Sequence, residues 1–320
     1  MRAPYLFISP KEYPGTTAAM QHFIATEMAE HSDEISPETV ADRKAIILGA
    51  WHPIYYEACK KLKKKNVETW LYWTSSVGQT DFSNGGIEIS YLYMIRDLVR
   101  SGMIDRLLCG NREVENMLKL MVDPEKVSLL PYCFDWDKIR EHYNEDIFEG
   151  DRWVDLYCPS DVRKNILPQI HASKLADARV HFSGVKDKYL DFADLVGAKH
   201  TIMGWMDRNV YYRSVQTMNL GLQVTFAETF DYSAAEHFAL ARPCLYSPVI
   251  GQWIKNKTMR KYLMVPDCDS PLTIAKYMNR VLDMSKDDKQ DLNKACEEFM
   301  HKEALKRNKN GRKILKGLLS

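Results

Sequence analysis

Over almost its whole length this chain alternates short runs of β-forming residues with longer stretches whose apolar residues recur at helical spacing. That alternation, joined by short turns, specifies an α/β protein: a parallel sheet with helices on both faces. The first series reads PYLFISP at 4–10, a helix over Ala18–His31, KAIILGA, a helix over Ile54–Lys65, ETWLYWTSS, a helix over Glu88–Gly102, Asp105–Gly110, a helix over Glu113–Met121, and VSLLPYC. Residues 136–150, WDKIREHYNEDIFEG, interrupt it with polar sequence ending in glycine. A second series follows: WVDLYCPS, a helix over Arg163–Ala176, ARVHFSG, a helix over Lys188–Val196, KHTIMGWM, a helix over Asn209–Met218, and LGLQVTF. Ser270–Ser320 reads as almost all helix. The expected organisation is a first α/β domain over 1–147, a second over 148–300, and a basic helical tail over 301–320. With 320 residues, two such domains are of ordinary size, and their natural ligand site is the cleft between them.

The densest signal lies at Val224–Ser247, VTFAETFDYSAAEHFALARPCLYS. It reads as a strand, a sharp turn at Ala227–Thr229, a small-residue helix over Ser233–Ala241 ended by Pro243, and a second short strand. In an open α/β sheet, ligands bind at the carboxyl ends of strands. A helix N-terminus there offers free N–H groups and partial positive charge to a phosphate. Glu228 sits at the strand end, and Glu236 lies one turn into the helix. Two carboxylates beside an anion site would repel the phosphate and suit hydroxyl groups, so the arrangement reads as a sugar-nucleotide pocket.

These residues resemble the donor site of retaining GT-B glycosyltransferases of the family-4 type. The likeness is carried by Glu228-Thr229-Phe230, the small-residue helix bearing Glu236, and Ala239-Leu240-Ala241-Arg242-Pro243 before a strand. It implies two Rossmann-like domains facing a cleft, with the C-terminal helix crossing back to the first. It also implies transfer of a sugar, with retention, from a nucleoside-diphosphate donor of the UDP type to an acceptor hydroxyl. By the same resemblance Glu228 takes the catalytic place at the donor sugar, with Thr229 and Phe230 beside it, and Glu236 contacts the ribose. Lys164, in Arg163-Lys164-Asn165 after the strand WVDLYCPS, takes the place of the family's diphosphate lysine. Arg163 compensates for an arginine whose usual position holds Pro159 or Ser160. Two cations at a helix start make a good diphosphate site and would neutralise the leaving group. The segment Gly204-Trp205-Met206 corresponds to one beside the nucleotide base, and Gly15 to the N-terminal loop over the donor phosphates. Pro131-Tyr132-Cys133-Phe134-Asp135 resembles the element that closes the family's first domain. The chain departs from the family at Asp231 and Arg242, where glycines are usual, at Thr16, and at Trp73-Thr74-Ser75-Ser76, which lacks the expected histidine. A side chain at 231 would crowd the donor sugar or change which sugar fits.

His52, after AIILGA, is of a type that acts as general base or holds a sugar hydroxyl, and equally fits as a structural or surface histidine. Trp51, Tyr55, Tyr56, Trp70, Tyr72 and Trp73 suit either an acceptor platform or a core. The net charge of +1 gives no global drive toward nucleic acid or membrane. The basic runs Lys60–Lys65 and Lys302–Lys316 fit a solvated face or an anionic partner, whether lipid headgroup or nucleic acid. A hydroxylated DNA base is therefore one alternative acceptor, and a non-catalytic nucleotide-sugar-binding module is the alternative class. No run approaches the roughly 18 apolar residues of a membrane helix, and the apolar core Tyr5–Ile8 is too short for a signal peptide. The seven cysteines are scattered without a Cys-x-x-Cys pair, as in a reduced, cytoplasmic protein. Asp135-Trp136-Asp137 and Asp267-Cys268-Asp269 have a metal-binding form, but Asp269-Ser270-Pro271 reads better as a helix cap. The resemblance implies chemistry without metal or cofactor.

Overall fold

A computed structural model of the protein describes residues 3–9, 14–49, 55–76, 78, 87–144, 151–157, 162–184, 186–204, 206–249, 253 and 256–318. It is an α/β structure of two compact units: Met1–Asp135 with Ala304–Ser320, and Trp136–Glu303.

The first unit carries β1 (Tyr5–Ile8), α1 (Pro14–Ala25), β2 (Ala29–Ser32), α2 (Pro37–Val40), β3 (Ala45–Leu48), α3 (Tyr55–Lys64), β4 (Glu68–Trp73), α4 (Ile87–Arg100), β5 (Arg106–Cys109), α5 (Arg112–Met121) and β6 (Val127–Leu129). Its strands form one parallel sheet in the order β2-β1-β3-β4-β5-β6. Leu6, Ile8, Ile46, Leu48, Leu71 and Leu107 supply one face of the core beneath Cys59, Leu62, Ile95 and Val99. The helix expected over Ala18–His31 ends earlier. Glu27 adopts a left-handed φ of 56°, and Ala29–Ser32 pairs with β1 as an edge strand. Its sequence, AEHS, carries no β signature; the partner strand, not local propensity, makes it a strand.

The second unit contains α6 (Trp136–Arg140), β7 (Trp153–Tyr157), α7 (Ile166–Leu175), β8 (Arg179–Ser183), α8 (Asp187–Val196), β9 (His200–Gly204), α9 (Arg208–Gln216), β10 (Leu220–Gln223), α10 (Tyr232–Ala239), β11 (Cys244–Tyr246), α11 (Lys257–Tyr262), α12 (Pro271–Leu282) and most of α13 (Lys286–Leu318). Its sheet is also parallel, in the order β11-β10-β7-β8-β9. Ser270 caps α12 by accepting the Thr273 N–H at 3.1 Å, with Pro271 in the first turn, as the sequence predicts.

The end of α13 belongs to the first unit. There Tyr5 Oη donates to the Leu315 carbonyl at 2.7 Å, and Asn308 exchanges hydrogen bonds with both backbone groups of Phe134. Gly311 lies so close to Phe23 that a Cβ would stand 2.5 Å from its ring. A larger residue would push the helix off the sheet.

Two departures from the sequence reading shape the carboxyl edge of the second sheet. Val224-Thr225-Phe226 are β-formers but leave the strand at Gln223. Their backbone is tied elsewhere: the Val224 N–H to Gln169 Oε1 at 2.9 Å, the Val224 carbonyl to Asn165 Nδ2 at 3.1 Å, and the Phe226 N–H to the Arg163 carbonyl at 2.8 Å. Arg163 and Lys164 also do not open the helix. They form a single 3-10 turn, Val162–Lys164, separated from α7 by Asn165 at φ 54°, ψ 47°. Asparagine tolerates this left-handed conformation better than most residues.

Candidate functional site

The strand order of the second sheet reverses between β7 and β10. The chain builds β8 and β9 outward from β7 on one side, then returns to place β10 and β11 on the other. Such a reversal opens a crevice at the carboxyl ends of the two strands. The turn 162–164 follows β7, and the loop 224–231 follows β10. The topology thus joins the cationic pair and the Glu228 motif, which are far apart in sequence.

Glu228 is enclosed by that pairing. Arg163 Nη1 lies 2.5 Å and Lys164 Nζ 2.8 Å from Glu228 Oε2, while the other carboxylate oxygen accepts the Thr229 N–H at 3.2 Å. Lys164 Nζ also donates to Gln223 Oε1 at 3.3 Å and stands 3.6 Å from Asp231 Oδ2. Lys164, Glu228 and Asp231 are all buried. Burial acts to raise the Glu228 carboxyl, but Lys164 and Arg163 outweigh it and hold the group below its ordinary range. Burial acts to lower the Lys164 ammonium, yet Asp231 and Glu228 together raise it. Asp231 goes the other way: burial lifts its carboxyl above the usual range despite Lys164. Buried ions persist only when paired in this manner. Phe230 is buried against Tyr232 and Trp253, so the loop backbone is anchored from below.

Glu236 occupies a second cluster, on the face of α10 toward α9. It is ion-paired with Arg208, the first residue of α9, and accepts a long bond from Tyr212 Oη at 3.4 Å. Arg208 Nε donates to the same Tyr212 oxygen at 2.9 Å. Glu236 is buried, but the Arg208 side chain is 43% exposed, so this cluster reaches the surface. Sequence reasoning missed Arg208 and Tyr212. Their only signal was an arginine in a first helical turn with a tyrosine one turn on.

Beneath α10 lies a third, closed network. His237 is fully buried, with Nδ1 2.8 Å from the Ser233 carbonyl and Nε2 3.4 Å from Asp155 Oδ2 in β7. Ser183 Oγ donates to Asp155 at 3.2 Å, and Tyr211 Oη lies 2.8 Å from Ser233 Oγ. Burial pushes the Asp155 carboxyl up and the His237 imidazole down. Gly221 permits this approach: a Cβ there would sit 2.6 Å from the His237 ring and 2.7 Å from Cys244 Sγ. No histidine pairing was visible along the chain, because His237 lies on α10 and its Asp155 partner comes from β7, far away in sequence.

The remaining sequence-predicted residues are placed as follows. Gly204 ends β9 with φ 66° and its carbonyl accepts the Gly184 N–H at 3.1 Å. Met206 is half-buried just before Asp207, the N-cap of α9. Among the described residues no hydrogen bond links either of them to Glu228 or Glu236. Gly15 lies in the first turn of α1, not in a turn before the helix. His52 and Trp205 fall outside the described residues. Arg242 does not face the Glu228 cluster. Its guanidinium clamps the Gln216 carbonyl at 2.9 and 2.7 Å, joining the ends of α9 and α10. Among the described residues no group of three His, Cys, Asp or Glu converges as a metal site would. Nor is any described helix long and apolar enough to cross a membrane.

No family model matches the chain, and no curated protein matches it by sequence. Solved structures do match. Anabaena HepE in complex with UDP aligns over 99% of this chain and 100% of its own, at 10% identity and a TM-score of 0.71. Sucrose-phosphate synthase from Thermosynechococcus elongatus aligns over 99% and 100%, at 15% identity and a TM-score of 0.70. The fold is GT-B. A Staphylococcus aureus TarM mutant in complex with fondaparinux, α-GlcNAc-glycerol and UDP aligns over 83% of this chain at 13% identity and a TM-score of 0.65; this chain spans about half of that one, 54%.

Proposed function

We propose that this GT-B chain is a glycosyltransferase that moves a sugar, with retention, from a UDP-sugar to an acceptor hydroxyl. The observation that carries the reading is Glu228 held by Arg163 and Lys164 at the strand-order reversal of the second sheet. Support for a UDP-sugar comes from the neighbours of the same fold, HepE with UDP and with UDP and glucose. In this reading Arg163 and Lys164 meet the diphosphate and stabilise the charge that develops as the sugar bond breaks. Glu228, oriented by the Thr229 N–H, faces the donor sugar, with Phe230 anchoring its loop. Glu236 takes the ribose hydroxyls and is aimed by Arg208 and Tyr212. Gly204 and Met206 flank the base. No metal is needed, because the two side-chain cations do its work.

A second reading has an observation of its own. Glu228 and Asp231 already balance Arg163 and Lys164, which suits a nucleotide-sugar-binding module without turnover. Incubation with UDP-sugars, with and without chelator and without acceptor, separates the two. Slow donor hydrolysis that survives chelator and is lost in Glu228→Ala supports the enzyme. Binding seen by thermal shift without any hydrolysis supports the module.

A further inference from the structure

The N-terminus of α10 is occupied by the chain's own carboxylate. Asp231 Oδ1 accepts the Ala234 N–H at 3.1 Å, the kind of donor a phosphate oxygen takes at a helix start. Its Oδ2 stands 3.6 Å from Lys164 Nζ and has no hydrogen-bond partner among the described residues. The residue is 1% exposed. Asp231 therefore holds both groups, a helix N–H and a lysine, that a diphosphate would use at this edge of the sheet. Glu228 is differently placed: it has Arg163 and the Thr229 N–H besides Lys164. Lys164 is the one cation within ion-pair distance of Asp231 among the described residues.

We propose that Asp231 is an internal competitor for the diphosphate of a nucleotide-sugar, and that it binds one proton from solvent when the diphosphate takes over Lys164. The proposal deepens the donor-site reading above and rests on it. A buried carboxylate parted from the cation it pairs with is relieved by protonation. Charge counting agrees. Ionised Arg163, Lys164, Glu228 and Asp231 sum to zero, so an arriving diphosphate makes the group strongly negative, and one proton on Asp231 offsets part of that. Burial already holds this carboxyl above its ordinary range, so the step is short. The groups facing Asp231 are Lys164 and Arg163 from the turn after β7, Glu228 from its own loop, and the Cys244 thiol of β11, which burial keeps protonated. His237, one turn along α10, faces Asp155 instead.

The sign follows from linkage. Affinity for the diphosphate is full below the titration of Asp231 in the free protein. It falls as pH rises above that point, by at most about tenfold per pH unit for one proton. Calorimetric titration of the full chain with UDP-glucose and with uridine, between about pH 5 and pH 8, reads this directly. The diphosphate of UDP-glucose has no proton of its own to lose in that range, and uridine carries no phosphate. The expected result is a UDP-glucose affinity that falls with pH relative to uridine. Proton uptake approaching one should appear when binding heats are compared in buffers of different ionisation enthalpy. Asp231→Asn keeps the helix cap, since asparagine caps as well as aspartate. It should bind UDP-glucose about tenfold tighter at the upper pH and lose the slope. A flat ratio without proton uptake in the native protein overturns the proposal, as does a slope that survives in Asp231→Asn. Should that variant not fold, the proton count on the native protein decides alone. Binding of UDP-glucose without the slope removes the proton coupling and leaves the donor-site reading standing. Failure of both UDP-glucose and uridine to bind at any pH removes both.

Discussion

Glu228 and Glu236 belong to one motif and are both buried, yet their surroundings differ in kind. Glu228 has two cations and shares one of them, Lys164, with a second buried acid, and both Lys164 and Asp231 beside it are buried. Glu236 has one arginine whose side chain is nearly half exposed, and a tyrosine. The first environment is a buried ionic set in which removing Lys164 leaves a buried carboxylate, Asp231, without its ion-pair partner. The second is open at one end, and its loss is screened by water. Stability should therefore track the Glu228 cluster, and ligand recognition should divide between the two.

The sharpest break of that contrast is Lys164→Ala. It strands Asp231 and leaves Glu228 with Arg163, and breaking a buried pair in this way costs about 3–5 kcal/mol. Urea denaturation should read that loss, and Lys164→Ala with Asp231→Asn should recover part of it. A loss as small as that of an exposed lysine would mean the cluster is not closed. Next in size is the divergence of the two glutamates on ligands. Glu236→Ala should weaken uridine, UDP and UDP-glucose alike, by a factor on the order of 10–100, since each contains the ribose. Glu228→Ala should lower turnover while UDP binds as well as before or tighter, because the two cations are freed. Weaker UDP binding in Glu228→Ala would contradict this assignment. Arg208→Ala should have a smaller effect, a few-fold loss of uridine affinity by calorimetry, because an exposed partner contributes about 0.5–1.5 kcal/mol. A loss as large as that of Glu236→Ala would show that the arginine itself touches the ligand.

The smallest effect belongs to the closed network under α10. Burial holds the His237 imidazole below its ordinary 6.5. A depressed value means the unfolded chain takes the proton first as pH falls. The stability this group contributes is thus present above about pH 6.5 and is lost as pH drops through the folded value. The melting temperature of the native protein should fall more steeply between pH 7 and pH 5 than that of His237→Gln, at about those limits. Equal slopes would place the acid limb elsewhere.

How much of this was readable along the chain varies by element. The strands around Ile46, Leu71 and Leu107 announced themselves, because a strand buried on both faces is continuously apolar. The strand Ala29–Ser32 did not, because an edge strand of AEHS is specified by its neighbour rather than by its own residues. The motif Glu228-Thr229-Phe230 and the pair Arg163-Lys164 were each visible as short patterns. Their union was not, since 64 residues separate Lys164 from Glu228 and only the β7–β10 pairing brings them together. Arg208 was passed over for the same reason: an arginine in a helix's first turn is ordinary until Glu236 is seen beside it.

The sequence by itself determined the alternation of strands and helices, the two-series organisation, and the chemical types available at the carboxyl edge of the second sheet. Those follow from local pattern and propensity, which neighbours in the chain are enough to set. The tertiary structure alone decided which charges meet. It put Arg163 and Lys164 on Glu228, made Asp231 the occupant of the helix N-terminus, and turned Arg242 away onto the Gln216 carbonyl. Ion pairing depends on distance and burial through the folded sheet, and neither quantity exists along the chain.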